Sequence, residues 1–102
     1  MTDLLAIAHT YDEGDLVSIT AEFTKGVAID PTALSIAVKS PNGTVTTYVY
    51  GTNAELVREA LGRFRLDVLA TAEGYWYYRI ASAAAGEQAA EERAFIVRPS
   101  VF

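Results

Sequence analysis

The sequence predicts an all-β domain, specifically an antiparallel β-sandwich of seven to eight strands. Three features of the 102-residue chain support this class. Apolar residues alternate with polar ones in several short segments, and residues that favour turns separate those segments at intervals of roughly ten residues. The connections are also too short for the helical crossovers that parallel strands require, so neighbouring strands are expected to pair antiparallel. The chain has the length of one domain.

The N-terminal residues 1–10 are interpreted as an edge segment, followed by the sandwich domain over residues 11–102. The apolar run from Leu4 to Ala8 lacks alternation, which suits an edge strand laid against the domain body or against a neighbouring subunit. Residues 11–15 read YDEGD, so three carboxylates and Gly14 interrupt the apolar run. We therefore expect a loop between this edge segment and the first core strand.

Two strands of the sandwich are indicated by strict alternation. Each should place one apolar row inward, consisting of Val17, Ile19, Ala21 and Phe23 in the first strand and Leu34, Ile36 and Val38 in the second. The second strand runs into Asn42-Gly43, a dipeptide that tolerates the positive φ angles of tight hairpin turns. A third strand, TVTTYVY, should therefore return antiparallel to the second.

Residues 53–62 allow two interpretations. Asn53 could cap a short helix, with apolar residues at helical spacing and Gly62 as its end. Against a helix, the next residues alternate, with Phe64, Leu66 and Val68 inward, and a sandwich needs a strand before them to complete a sheet. We favour a short strand around residues 56–59.

The stretch of residues 74–82, GYWYYRIAS, holds four of the chain's aromatic residues and is expected to be a central strand. With a period of two, it places Trp76, Tyr78 and Ile80 on one face. The other face carries Tyr75, Tyr77 and Arg79. Because Arg79 stays charged, the first face should pack in the core and the second should form a wet aromatic surface.

The C-terminal part is predicted to contain a loop and one last strand. Residues 83–90 are rich in alanine and contain Gly86, which indicates a long loop, with strand structure resuming near Glu91. In the last strand, Phe95 and Val97 should face inward and Pro99 should end the strand. Taken together, the strand count and spacing match an immunoglobulin-like sandwich, in which the bulk of Trp76 and Tyr78 would replace the disulfide of that fold.

Composition excludes several classes of function. The chain has no cysteine, so disulfides, thiolate metal sites and a cysteine nucleophile are excluded. Its net charge of −5 argues against nucleic-acid binding, which needs a clustered positive face. The start of the chain has no basic region and only a short apolar run, so neither a signal peptide nor a membrane span is expected. We expect a protein made inside the cell.

No pattern indicates catalysis or a cofactor. The single histidine, His9, has no neighbouring nucleophile to activate and is interpreted as a surface or edge residue. Asp12, Glu13 and Asp15 could supply oxygen ligands to Ca²⁺, but they lack the spacing of a calcium-binding loop, which favours a solvated turn. The chain is therefore expected to be no enzyme and to bind no metal or cofactor.

A protein interface is the function that the residues themselves favour most. Tyrosine and arginine are enriched at interface hot spots, so the row of Tyr75, Tyr77 and Arg79 is one candidate contact surface. Aromatic rings also stack on sugars, and a neighbouring loop could instead cover the row. The apolar ends of the chain are further candidates, because such termini usually dock on another surface: Leu4, Leu5, Ile7, Val101 and Phe102.

The order of several short motifs resembles a group of small proteins encoded by tailed bacteriophages and prophages. The motifs are G-D at Gly14, D-P-T at Asp30, a P-x-G-T hairpin, a G-x-W/Y-x-Y-R strand and a final F-x-V strand. They span residues 11–102, each weak alone and more specific in this order. The motif residues are expected to determine the fold: Gly14, Asp15, Asp30, Pro31, Gly43, Gly74, Trp76, Tyr78 and Arg79.

The resemblance implies a non-enzymatic, immunoglobulin-like structural or accessory protein of the virion. Such proteins are encoded with the genes for head completion and the head-to-tail connection. The expected partners are therefore other phage structural proteins and further copies of the chain. Assembly into a symmetric particle would make it a homo-oligomer or a multi-copy component. The expected location is the virion, after synthesis in the cytoplasm of the host bacterium. Alternatives are a glycan-binding or adhesive surface module and a degenerate enzyme subunit.

Overall fold

A computed structural model describes residues 7–25, 27–28, 30–84 and 87–99 of the chain. The described residues form ten strands: β1 (Ile7–Asp12), β2 (Leu16–Glu22), β3 (Thr24–Lys25), β4 (Val27–Ala28), β5 (Ala33–Lys39), β6 (Val45–Val49), β7 (Leu56–Ala60), β8 (Arg63–Leu69), β9 (Gly74–Ala84) and β10 (Glu87–Arg98).

Two sheets make up the body of the domain. The five-stranded sheet has the order β1-β10-β9-β5-β6, and the three-stranded sheet has the order β2-β8-β7. The two-residue strands β3 and β4 form a small separate hairpin. The domain is an immunoglobulin-like β-sandwich, which confirms the predicted fold class.

The core lies between the two sheets and is built from the alternating rows that the sequence indicates. Every second residue of β2, β5 and β8 is buried, with Ile36 and Leu66 fully so. Trp76 in β9 is 5% exposed and stacks on Phe95 of β10, with ring centroids 5.8 Å apart. Its indole Nε1 donates a hydrogen bond of 2.9 Å to the carbonyl of Ala72. The predicted inward rows are therefore confirmed.

The β5–β6 hairpin is confirmed, and its turn has a specific geometry. Gly43 N–H donates to the carbonyl of Ser40 at 2.9 Å, which makes Pro41 and Asn42 the central residues of the turn. Gly43 follows with a φ of 92°, a conformation that glycine adopts without strain. The Asn42 side chain accepts a hydrogen bond from Thr44 N–H and so stabilises the turn.

The ambiguous segment of residues 53–62 contains a strand, as favoured from the sequence. Strand β7 pairs antiparallel with β8, with Leu56 opposite Leu66. Asn53 does cap a backbone group, but that group is at the end of β6 and not in a helix: the Asn53 Oδ1 accepts from Val49 N–H at 2.9 Å. The burial of Leu56 against the core outweighs the helical spacing of the neighbouring residues.

The prediction of a long loop over residues 83–90 is wrong. Strand β9 continues to Ala84, and β10 begins at Glu87 in register with it. Ala83 also pairs with Ala33 of β5, and its carbonyl accepts a hydrogen bond from Thr32 N–H. The alanines join the ladder because backbone hydrogen bonding does not depend on the side chain, and pairing with two neighbours overrides a weak local preference.

The predicted loop over residues 11–15 is also shorter than expected. Tyr11 and Asp12 belong to β1, and the turn begins only at Glu13. Strand β1 pairs parallel with β10, which the sequence did not indicate, because these strands are far apart in the chain. The Tyr11 ring meets Phe95 edge to face at 5.5 Å, so its packing extends the core beyond the apolar run.

Candidate protein-interaction surface

The outward side of the five-stranded sheet, called the outer face below, is the candidate functional site. Strand register fixes its members, because residues directly opposite each other point to the same side. Arg79 lies between Ala37 of β5 and Glu92 of β10, and Tyr77 lies between Lys39 and Ala94. Along β5, β6, β9 and β10 the outer face comprises Ala33, Ser35, Ala37, Lys39, Val45, Thr47, Val49, Tyr75, Tyr77, Arg79, Ala81, Ala83, Ala90, Glu92, Ala94 and Ile96.

The predicted row of Tyr75, Tyr77 and Arg79 does lie on this solvent-facing side. Tyr75 is 49% exposed and Tyr77 is 42% exposed, while Trp76 between them is buried. Val45 and Val49 of β6 are also exposed on the same face. Large apolar side chains from the central and the edge strand therefore stand beside the small residues of the sheet.

Two shallow concavities mark the outer face. The first has a volume of about 560 Å³, with small residues of β5 and β9 such as Ser35 and Ala81 lining it beside Val49. The second has a volume of about 360 Å³ and lies beside Tyr77 and Val45. Arg79 lines both of them. Alanines and Ser35 create the first concavity because they leave space above the sheet that larger side chains would fill.

The charges on the outer face are few and unpaired. Within the described part of the chain, the Arg79 side chain makes neither a hydrogen bond nor an ion pair, although Glu92 lies directly opposite it on β10. Lys39 is exposed and likewise has no ion pair among the described residues. A cationic group at the boundary of two apolar concavities is available to a carboxylate from outside the domain.

The outward side of the three-stranded sheet is different, because its charged side chains bind one another. Arg65 Nη1 lies 2.5 Å from a Glu59 oxygen and its Nε lies 3.4 Å from Asp67. Arg63 binds Glu59 at 3.3 Å. Exposed apolar residues occur here too, at Leu16 and Leu69 among others, beside this charged network. These four charged side chains are therefore paired within the domain.

The remaining predicted contact residues are not brought to the outer face by the described structure. Leu4, Leu5, Val101 and Phe102 lie outside the described residues. Ile7 begins β1 and pairs with Ala94 of β10, but its side chain also lies outside the described part. The terminal contacts therefore stay predictions.

The acidic residues considered for Ca²⁺ have other roles. Asp12 Oδ1 accepts hydrogen bonds from Arg98, the shorter at 2.8 Å. Asp15 Oδ2 accepts from Asp12 N–H at 2.9 Å and so stabilises the turn after β1. Across the described residues there is no group of three or more acidic, histidine or cysteine side chains able to hold a metal ion. The side chain of His9 lies outside the described part.

One ionisable group in the core has a perturbed pKa. Burial raises the pKa of the Tyr78 phenol above its usual value of 10.0, with Arg93 opposing the shift and Glu91 adding to it. Tyr78 faces inward beside Phe95, so this shift belongs to the packing of the sandwich.

The described ranges contain no helix that is long and apolar enough to cross a membrane.

Sequence reasoning missed the residues that surround the tyrosine row. The alternation of β5 places Ser35, Ala37 and Lys39 outward, but it does not say which strand lies beside them. Glu92 was expected near the start of the last strand, but the sequence does not indicate that it lies opposite Arg79. Unusually small outward residues in a strand are the signal that could have indicated a concave surface.

No family model and no curated protein matches the sequence. In structure, the chain is similar to CopC from Methylosinus trichosporium OB3b, with a TM-score of 0.68 and 15% identity over 95% of this chain and 89% of that one. It is also similar to the Ig-like domain of human leucine-rich repeat-containing protein 4, with a TM-score of 0.49 and 16% identity over 92% and 82% of the two chains. At these identities the similarities concern the fold alone.

Proposed function

We propose that this immunoglobulin-like domain is a non-enzymatic structural or accessory protein of a tailed-phage particle, which binds other virion proteins through the outer face of its five-stranded sheet. The observation that carries the proposal is the outer face itself. It combines exposed Tyr75 and Tyr77, two apolar concavities and an Arg79 side chain without a partner among the described residues. These are the residue types that dominate binding energy at protein interfaces.

The motif residues behind the phage resemblance support the choice of this face. Most of them have a structural role: Gly14, Gly43 and Gly74 adopt positive φ, and Trp76 fills the core. Arg79 is different, because its side chain lies on the outer face and makes no hydrogen bond or ion pair within the described residues. We infer that this motif arginine contacts a group outside the domain.

A glycan-binding module is the second candidate, because exposed tyrosines can stack on sugar rings. Sugar recognition also needs several polar groups around the ring, each with a defined hydrogen-bond geometry. The lining of the first concavity is more apolar than polar: it includes four alanines, Leu34 and Val49 beside polar side chains such as Thr32 and Ser35. The surface therefore favours an apolar protein partner.

Co-sedimentation with assembled particles from a phage lysate tests the proposal. Wild-type protein should sediment with particles, and Tyr77→Ser should reduce the bound fraction at least tenfold, because it removes an exposed aromatic contact. Leu69→Ser is the matched control, since it removes a side chain of similar exposure from the other sheet. Equal loss in both variants, or no binding by wild type together with a positive glycan array, would contradict the proposal.

A further inference from the structure

We infer that the partner segment bound by the outer face is an amphipathic α-helix of another protein, with a carboxylate in the middle of its apolar stripe contacting Arg79. This inference rests on the proposed function and specifies the structure and charge of the partner. It follows from the shape of the face, the backbone chemistry of the possible occupants, the dimensions of the sheet and its charges.

The shape of the face favours a convex partner. The two concavities follow one another along β9, the first at Ala81 and Ala83 and the second at Tyr77, with Arg79 lining both. Together they form a shallow groove. A second copy packed through the same face would oppose one concave surface to another and leave voids, which forfeit dispersion contacts. A rounded element about 10 Å across fills such a groove better.

The backbone chemistry of the occupant distinguishes a helix from an extended segment. A sheet face presents side chains, whereas free backbone N–H and C=O groups are found only at sheet edges. An extended segment lying across the alanines would place its own backbone groups against apolar atoms without partners. A helix satisfies these groups internally. The short side chains of Ala37 and Ala81 also allow a helix to approach the sheet closely.

The dimensions agree with a helix of about four turns. Strand β5 has seven residues, which corresponds to about 23 Å, the length of roughly 15 helical residues. Along β9, Ala81 and Tyr77 are four residues apart, or about 13 Å. On a helix this distance separates residues i and i+8, about 12 Å, and residue i+4 lies between them. Two apolar anchors with an acidic residue between them therefore match the groove.

The charges of the groove select an acidic helix. Arg79 stands between the concavities and Lys39 lines the second, while Glu92 is the carboxylate beside them. Glu92 makes no ion pair with Arg79 in the described structure, so the guanidinium can bind a carboxylate of the partner. Because the groove carries an excess of positive charge in a chain of net charge −5, electrostatic complementarity would also orient the partner.

A peptide selection tests the inference. The library consists of random 16-residue peptides displayed on yeast, and the purified protein is the bait. Enriched peptides should show apolar residues at i, i+7 and i+8 with Asp or Glu at i+4. Arg79→Glu should weaken the selected peptides at least tenfold, and changing the peptide's acidic residue to lysine should restore part of that loss. Ala81→Arg, which fills the first concavity, should abolish binding.

Folding controls and distinct outcomes keep the test interpretable. Tyr77→Ser serves as a second variant in case Ala81→Arg fails to fold, because the Tyr77 side chain is exposed. Four outcomes would each contradict a helical partner. The selection could enrich no peptide, or it could enrich peptides with alternating apolar residues. Binding could be unaffected by Arg79→Glu, or the wild-type protein could form a dimer that Ala81→Arg dissociates. If particle binding still required Tyr77, the proposed function would survive that result; if helices bound but particles did not, the proposed function alone would fail.

Discussion

Among alanine substitutions in β9, replacement of Trp76 should cause the largest loss of stability. The indole is 5% exposed and lies in the core, stacked on Phe95 at an interplanar angle of 12°. Its Nε1 also binds the carbonyl of Ala72 at 2.9 Å. The substitution therefore removes packing, a ring contact and a hydrogen bond at once.

The expected cost can be estimated from these contacts. Truncation of a buried tryptophan typically costs about 3–5 kcal/mol, and loss of the hydrogen bond that satisfies the Ala72 carbonyl costs about 1 kcal/mol more. A domain of this size has a total stability of about 5–15 kcal/mol. Trp76→Ala should therefore remove about a quarter or more of the free energy of unfolding, and Trp76→Phe, which keeps a ring, should cost less than half as much.

Urea unfolding followed by far-UV circular dichroism measures this difference. Tryptophan fluorescence is unsuitable, because Trp76 is the only tryptophan in the chain. Tyr75→Ala is the matched control, since Tyr75 is the adjacent residue on the outer face and is 49% exposed. It should change the free energy of unfolding by less than about 1 kcal/mol. A Trp76→Ala variant as stable as Tyr75→Ala would refute the assignment of the two faces of β9.

Three further substitutions test other parts of the fold. Gly74→Ala should destabilise the domain more than Gly51→Ala in thermal melts: both have positive φ, but a Cβ at Gly74 would lie 3.1 Å from a proline side chain, whereas Gly51 faces open space. Asp30→Ala should cost about 1–2 kcal/mol in urea unfolding, because the Asp30 Oδ1 accepts a part-buried backbone hydrogen bond of 2.7 Å. Arg58→Ala removes only the exposed ion pair to the same carboxylate, so it should cost less than about 1 kcal/mol. For Tyr78 the folded-state pKa is raised, so its contribution to stability is complete below pH 10 and is lost as the pH rises through the folded pKa. The difference between the absorbance titrations of wild type and Tyr78→Phe should therefore have its midpoint above pH 10.0. A midpoint at or below that value would contradict the burial of the phenol.

The strands that could be predicted from the sequence are those with one buried and one exposed face. Alternation reveals them because it is a local property: Ile36 and Leu66 are buried where the period of two places them. Residues 83–90 were mistaken for a loop because alanine is tolerated on either face of a sheet and therefore produces no alternation. Similarly, the parallel pairing of Ile7 with Ala94 depends on contacts between residues distant in the chain, which no local pattern encodes.

The candidate site was predictable only along one strand. Tyr75, Tyr77 and Arg79 share a face of β9 because of their spacing, and the structure places them there. Their neighbours, including Lys39 and Glu92, come from other strands and are fixed by register. Register depends on the whole sandwich, so the concavities, and the lack of a polar partner for the Arg79 side chain among the described residues, became visible only in three dimensions.

Cysteine protection in the assembled particle tests the central claim, the use of the outer face for docking, most directly. The chain has no cysteine, so Ala81→Cys places a single thiol in the first concavity and Thr20→Cys places one on the exposed outward side of the other sheet. Both free proteins should react with a bulky maleimide. After incorporation into particles, the thiol at position 81 should be protected and the thiol at position 20 should still react. Equal reactivity at both positions, or protection of position 20 alone, would contradict docking through the outer face.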